Sequence, residues 1–83
     1  MREDKILNAM NFIDSNLDGG HKYCFFPHVL TNDERNEVVK RVINNKWVSD
    51  LDSFGAKDRK QTEGVLFVWT DDKEELKKCF EIE

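Results

Sequence analysis

The chain has 83 residues, of which 39% are hydrophobic and 36% are charged, and its formal net charge at pH 7 is −4. A chain of this length forms one domain, and its six Phe, two Trp and one Tyr supply enough apolar surface for a core, which excludes a disordered protein. The acidic balance without a strongly basic block argues against a binder of nucleic-acid phosphates, and no apolar run approaches the roughly 20 residues of a membrane span.

Two cysteines, Cys24 and Cys79, bear on the cellular compartment. They are too few for the disulfide framework of a small secreted domain. The first residues are charged and do not form the apolar stretch of a leader peptide. We therefore expect a cytoplasmic protein with two free thiols.

The first predicted element is an amphipathic helix over residues 3–20. Its apolar side chains recur at spacings of four, three and four residues, which places them on one helical face. They are Ile6, Met10, Ile13 and Leu17. Gly19 and Gly20 end the helix, because glycine adopts the left-handed conformation at a helix C-terminus without a steric penalty.

Residues 21–28, HKYCFFPH, combine two histidines and a cysteine with a strand-like core, residues 23–26. Alternate side chains of a strand point to opposite faces, so His21 and Cys24 cannot bind the same ion. Cys24 and His28 could share a site with Cys79 as a third ligand. A structural zinc site has four ligands, commonly in short pairs such as C-x2-C, and the sequence has no such pair. We interpret the segment as a strand and predict no metal and no other cofactor.

A second helix is predicted within residues 30–47. Thr31 and Glu34 have the spacing of a capping box, in which each side chain accepts a hydrogen bond from the other residue's backbone N–H. The predicted buried stripe consists of Val38, Val39, Val42 and Ile43.

The second half of the chain predicts two strands, a loop and a helix. WVSDLDSF, residues 47–54, alternates loosely and is predicted as a strand, and the polar residues 53–64 as the longest loop. GVLFVWT, residues 64–70, has five consecutive apolar residues and is predicted as a central strand covered on both faces. Residues 70–83 return to helical spacing, with Asp71 and Glu74 as a second capping pair. The buried side of this helix is predicted to be Leu76, Cys79 and Phe80.

The elements give an α+β fold class: one domain over residues 1–83, in the order α-β-α-β-β-α. A three-stranded sheet with the helices packed on it lets each helix bury its single apolar stripe. The middle of this order resembles part of a ferredoxin-like fold without its last strand. Such a resemblance in architecture implies no function.

Candidate catalytic groups do not form a recognisable set. Asp50 and Asp52 could hold magnesium if phosphate supplied further ligands, but a nuclease with such a pair also needs a nearby Glu-x-Lys. The candidate here, Glu63, is followed two residues later by Val65 and not by lysine. The serines lack the surroundings of an activated nucleophile, and the glycines do not form a phosphate-binding loop. We predict that the protein is not an enzyme and that the two aspartates lie on a solvated face.

By elimination, the sequence predicts a small interaction protein that regulates or inhibits a larger protein by binding it. A composition rich in Asn, Lys and Asp suits a small accessory protein, including one of viral origin. The alternative is an RNA- or DNA-binding module that uses the basic and aromatic 54–60 loop. We expect no membrane association, and a homodimer stays possible. The predicted partner-binding residues are Trp47, Phe54, Lys57, Arg59 and Lys60.

Overall fold

Helices and strands follow one another in the predicted order α-β-α-β-β-α in the computed structural model, which describes residues 2–44, 48, 50–56 and 63–81. The α+β fold class is therefore confirmed. The elements are α1 (Arg2–Asp18), β1 (Tyr23–Phe26), α2 (Asn32–Ile43), β2 (Asp52–Gly55), β3 (Val65–Val68) and α3 (Lys73–Glu81).

The three strands form one sheet in the order β1-β3-β2, and both neighbouring pairs are antiparallel. β1 and β2 therefore run parallel to each other with β3 inserted between them, as in a split β-α-β unit. At one end of the sheet Phe26, Val65 and Gly55 lie side by side. At the other end Tyr23, Val68 and Asp52 do so. The prediction of a central strand within residues 64–70 is confirmed.

Both faces of the sheet are covered. β3 sends alternate side chains to opposite sides, and each set is buried in its own cluster. Val65 and Phe67 belong to the larger cluster, which we call the α1/α2 cluster. Its other buried members are Ile6, Ala9, Ile13, Cys24, Phe26, Leu30, Val38, Val42, Val48 and Leu51. Leu66 and Val68 face the other side and form the α3 cluster with Cys79. Packed against that cluster are Tyr23, Phe25, Phe54, Leu76 and Phe80.

The predicted end of α1 is confirmed by its hydrogen bonds. At the end of α1, the Gly20 N–H donates to Leu17 O at 3.0 Å and the His21 N–H donates to Asn16 O at 3.1 Å, which is a Schellman motif. Gly20 occupies its left-handed position with a φ of 79°.

The capping box at the start of α2 is also confirmed. The Glu34 N–H donates to Thr31 Oγ1 at 3.1 Å, and the Thr31 N–H donates to the Glu34 carboxylate at 2.8 Å. This pair explains why Glu34 can be buried, since its carboxylate has a backbone donor.

Other boundaries differ from the predictions. α3 is capped by Asp72 and not by Asp71, because the Asp72 carboxylate accepts from the Glu74 N–H at 2.9 Å. Ile43, predicted to be buried, is 37% exposed, since it lies one residue beyond Val42 and turns away from the cluster at the end of α2.

The second strand is shorter than predicted and begins only at Asp52. The preceding residues Val48 and Leu51 are buried in the α1/α2 cluster without belonging to a strand. They are three positions apart, so they do not have the period of two that a half-buried strand requires.

No helix in the described part of the chain is long and apolar enough to cross a membrane.

Candidate functional site

The cysteines and histidines do not converge on a metal site. Cys24 lies in the α1/α2 cluster and Cys79 lies in the α3 cluster, so the sheet separates their thiols. Neither forms a disulfide. Among the described residues, no group of three or more His, Cys, Asp and Glu side chains could hold a metal ion. The hypothetical site of Cys24, His28 and Cys79 is therefore excluded by the fold.

Cys24 is also a poor nucleophile. Burial raises the pKa of its thiol to about 12, so the thiol is protonated at neutral pH. The thiolate is the reactive form of cysteine, and burial in apolar surroundings disfavours it.

Three aspartates line a pocket of about 170 Å³ at the end of the sheet that holds Asp52; we call this the aspartate end. The described lining residues are Asp50, Asp52, Val68, Trp69, Thr70 and Asp71. Trp69 is fixed there by two hydrogen bonds: its backbone N–H donates to Lys22 O at 3.1 Å and its indole N–H donates to His21 O at 2.7 Å. Both Asp50 and Asp52 are exposed, as predicted, but Asp50 precedes β2, so the two do not share a strand face.

A groove of about 390 Å³ lies at the opposite end of the sheet, between α1 and the residues that follow β1; we call this end the groove end. Among the described residues it is lined by Lys5, Asn8, Phe26, His28 and Val29. Val29 is 55% exposed, more than either of the other exposed large hydrophobic residues, Leu7 and Ile43.

Aromatic contacts fix the wall of the groove. The rings of Phe12 and Phe26 meet edge to face with centroids 5.6 Å apart, and those of Phe26 and His28 meet in the same way at 5.2 Å. His28 is thus held beside a buried phenylalanine while its own side chain is exposed.

Of the predicted partner-binding residues, only Phe54 lies within the described part of the chain. It is half-buried on β2, and its ring meets the edge of Phe80 of α3 with centroids 5.2 Å apart. Phe54 therefore contributes to the α3 cluster. Trp47, Lys57, Arg59 and Lys60 are outside the described residues, and their predicted role stays a prediction.

The chain that contains the basic residues leaves β2 after Gly55 and re-enters the sheet at Val65, and these two residues are paired. Residues 56–64 thus connect two strands at the groove end. In sequence they carry three cations, Lys57, Arg59 and Lys60, against Asp58 and Glu63.

Sequence reasoning missed the groove itself, because its walls come from segments about 20 residues apart.

Comparison with protein-family models, with curated proteins and with solved structures gives no match to this chain. The assignment of function therefore depends on the chemistry at the two ends of the sheet.

Proposed function

We propose that the protein is a small interaction protein that regulates or inhibits a larger protein by binding it, with the groove end as its contact surface. The observation that carries this proposal is the position of an exposed apolar residue, Val29, in a groove at the same end of the sheet as the 56–64 connection. Partner-binding surfaces combine apolar anchors with a polar or charged surround.

The framework behind this surface is well suited to the task. The pair Gly55–Val65 fixes both ends of the connection, and β3 is buried on both faces. Binding residues are commonly displayed on loops that a rigid scaffold positions. Within the connection Arg59 is the strongest candidate anchor, since arginine contributes disproportionately to interface energy.

The test begins with the purified chain used as bait in extract of its native host, with and without nuclease. The proposal predicts a stoichiometric protein partner that resists nuclease. Binding of that purified partner is then measured by calorimetry at two salt concentrations. Arg59→Ala should weaken it by about 2 kcal/mol.

A matched control is Arg35→Ala, which removes an arginine from α2 whose side chain donates to Asn32. It should leave binding unchanged. Equal affinities of the Arg59→Ala and unaltered chains would contradict the role of the connection. Loss of the partner on nuclease treatment, together with a steep decrease in affinity with salt, would instead identify a nucleic-acid binder.

A further inference from the structure

The groove between α1 and the residues after β1 has the size of a binding site. Its volume of about 390 Å³ falls within the range of roughly 300–1,000 Å³ that is typical of ligand pockets. One wall is a helix and the other is positioned by a strand of the sheet, so both walls belong to packed elements. The groove is open to solvent, which suits a side chain carried by another protein better than an enclosed small molecule.

The apolar part of the groove is formed in advance of binding. Phe26 is 4% exposed, and its ring makes edge-to-face contacts with both Phe12 and His28. Val29 lines the same groove as Phe26 and His28, with 55% of its surface exposed. A large apolar side chain seated here would cover Val29 without rearrangement of the rings, so little conformational freedom would be lost.

The polar part of the groove carries hydrogen-bond donors. Lys5 and Asn8 lie one turn apart on α1 and line the same wall. Lys5 is the only fixed charge among the described lining residues, and it forms no salt bridge with a described residue. An ammonium group in this position favours a carboxylate on the bound partner.

We propose that the groove binds an acidic segment of a partner protein, which inserts one large apolar side chain against Val29 and Phe26 and places a carboxylate on Lys5. This inference rests on the proposed function and adds the chemistry of the partner.

The probe for this inference is a short capped peptide with one phenylalanine flanked by aspartates. Two control peptides replace the phenylalanine by alanine or the aspartates by lysines. Each is titrated into the isotopically labelled full chain and followed by the backbone amide signals in NMR spectra. The inference predicts that the acidic phenylalanine peptide shifts the signals of Lys5, Asn8, His28 and Val29, and that both control peptides bind more weakly.

Paired variants separate the two parts of the site. Val29→Ala should weaken binding of the peptide about fivefold, whereas Leu7→Ala, which shortens an exposed aliphatic residue outside the described lining, should not. Lys5→Gln should weaken it about threefold. Lys73→Gln removes an exposed lysine from the first turn of α3, on the opposite face of the sheet, and should have no effect.

Three results would overturn the inference: signal shifts centred outside the groove, equal effects of Val29→Ala and Leu7→Ala, or groove signals that shift with protein concentration alone. The last result would mean that a second copy of the chain occupies the groove. If the peptide does not bind while Arg59→Ala still weakens binding of the natural partner, only the groove inference is wrong. If the peptide binds as predicted while no protein partner resists nuclease, the proposed function is wrong, but the assignment of the groove as a site for acidic peptides stands.

Discussion

Gly64 occupies a position at which the fold leaves no room for a side chain. It immediately precedes β3 with a φ of 151°, a conformation that side chains of L-residues rarely adopt. A Cβ at this position would lie 2.5 Å from Cζ of Phe25 and 2.5 Å from the backbone oxygen of Phe26. The phenylalanine ring can move, but the carbonyl oxygen belongs to a strand that is paired with β3. Gly64→Ala therefore forces both backbone strain and displacement of β1.

The two costs can be added. Backbone strain of this kind costs about 1–3 kcal/mol, and an extra methyl group in a packed site costs a further ~1–3 kcal/mol. We expect Gly64→Ala to lower the free energy of unfolding by about 4 kcal/mol, near the middle of the summed range. Gly20→Ala is the matched control, because Gly20 also has a positive φ, 79°, but its added Cβ would meet nothing within 4 Å. Its cost is the strain alone, about 1–2 kcal/mol.

Thermal unfolding followed by circular dichroism, with urea unfolding at 25 °C, measures the difference. In a domain of this size each kcal/mol corresponds to roughly 4–8 °C of melting temperature, so Gly64→Ala should melt about 10 °C or more below Gly20→Ala. A Gly64→Ala chain that is already unfolded at 25 °C would agree with the prediction. Equal melting temperatures of the two variants would refute it, since they would mean that β1 moves to accommodate the added methyl group without loss of stability.

Three further predictions concern the helix cap, the buried thiol and metal. Thr31→Ala leaves the Glu34 N–H without its acceptor and should cost about 1 kcal/mol, or roughly 4–8 °C of melting temperature; an unchanged melting temperature would contradict the role of the cap. Burial raises the pKa of Cys24 from its ordinary value of 9.0 to about 12, so the unfolded chain loses this proton first. The free energy of unfolding should accordingly be unaffected by this thiol below pH 9 and decrease as the pH rises from 9 towards 12. Urea unfolding over that interval should show a smaller pH dependence for Cys24→Ala. Addition of EDTA should leave the melting temperature unchanged, and a decrease that zinc restores would contradict the interpretation of residues 21–28 as a strand without metal.

Features set by neighbours in sequence were predictable. The capping box needs only Thr31 and Glu34 at the right spacing, and the end of α1 needs only a glycine that can adopt a positive φ. The five apolar residues from Val65 onward predicted a strand buried on both sides, because an exposed face would have required alternation with polar residues. In each case the local pattern and the tertiary environment require the same residue types.

Features that depend on which elements meet were not predictable in the same way. Asp71 joins Asp50 and Asp52 only because β2 pairs with β3 and thereby brings both chain segments to the aspartate end. The groove depends on where α1 crosses β1, which no spacing within either element encodes. The choice between Asp71 and Asp72 as the cap of α3 was a one-residue ambiguity, since either aspartate precedes a glutamate at a usable distance.

The helices bury most of their apolar side chains, which leaves few exposed apolar residues for a partner to contact. α1 and α2 bury their main apolar side chains against one face of the sheet, and α3 buries Cys79 against the other. Of the three large hydrophobic residues exposed in the described part of the chain, Leu7 and Ile43 lie on helices outside the described lining of the groove. Val29 differs because it lies in the connection between β1 and α2, where no periodic pattern dictates burial, and because it lines the groove together with Phe26 and His28. Among the described residues, an apolar anchor and the ammonium group of Lys5 thus line the groove at one end of the sheet, while Asp50, Asp52 and Asp71 line the pocket at the other. The Lys5 ammonium group would attract a carboxylate of a partner, and the three aspartates would repel it from the other end, so these charges favour the approach of an acidic segment to the groove.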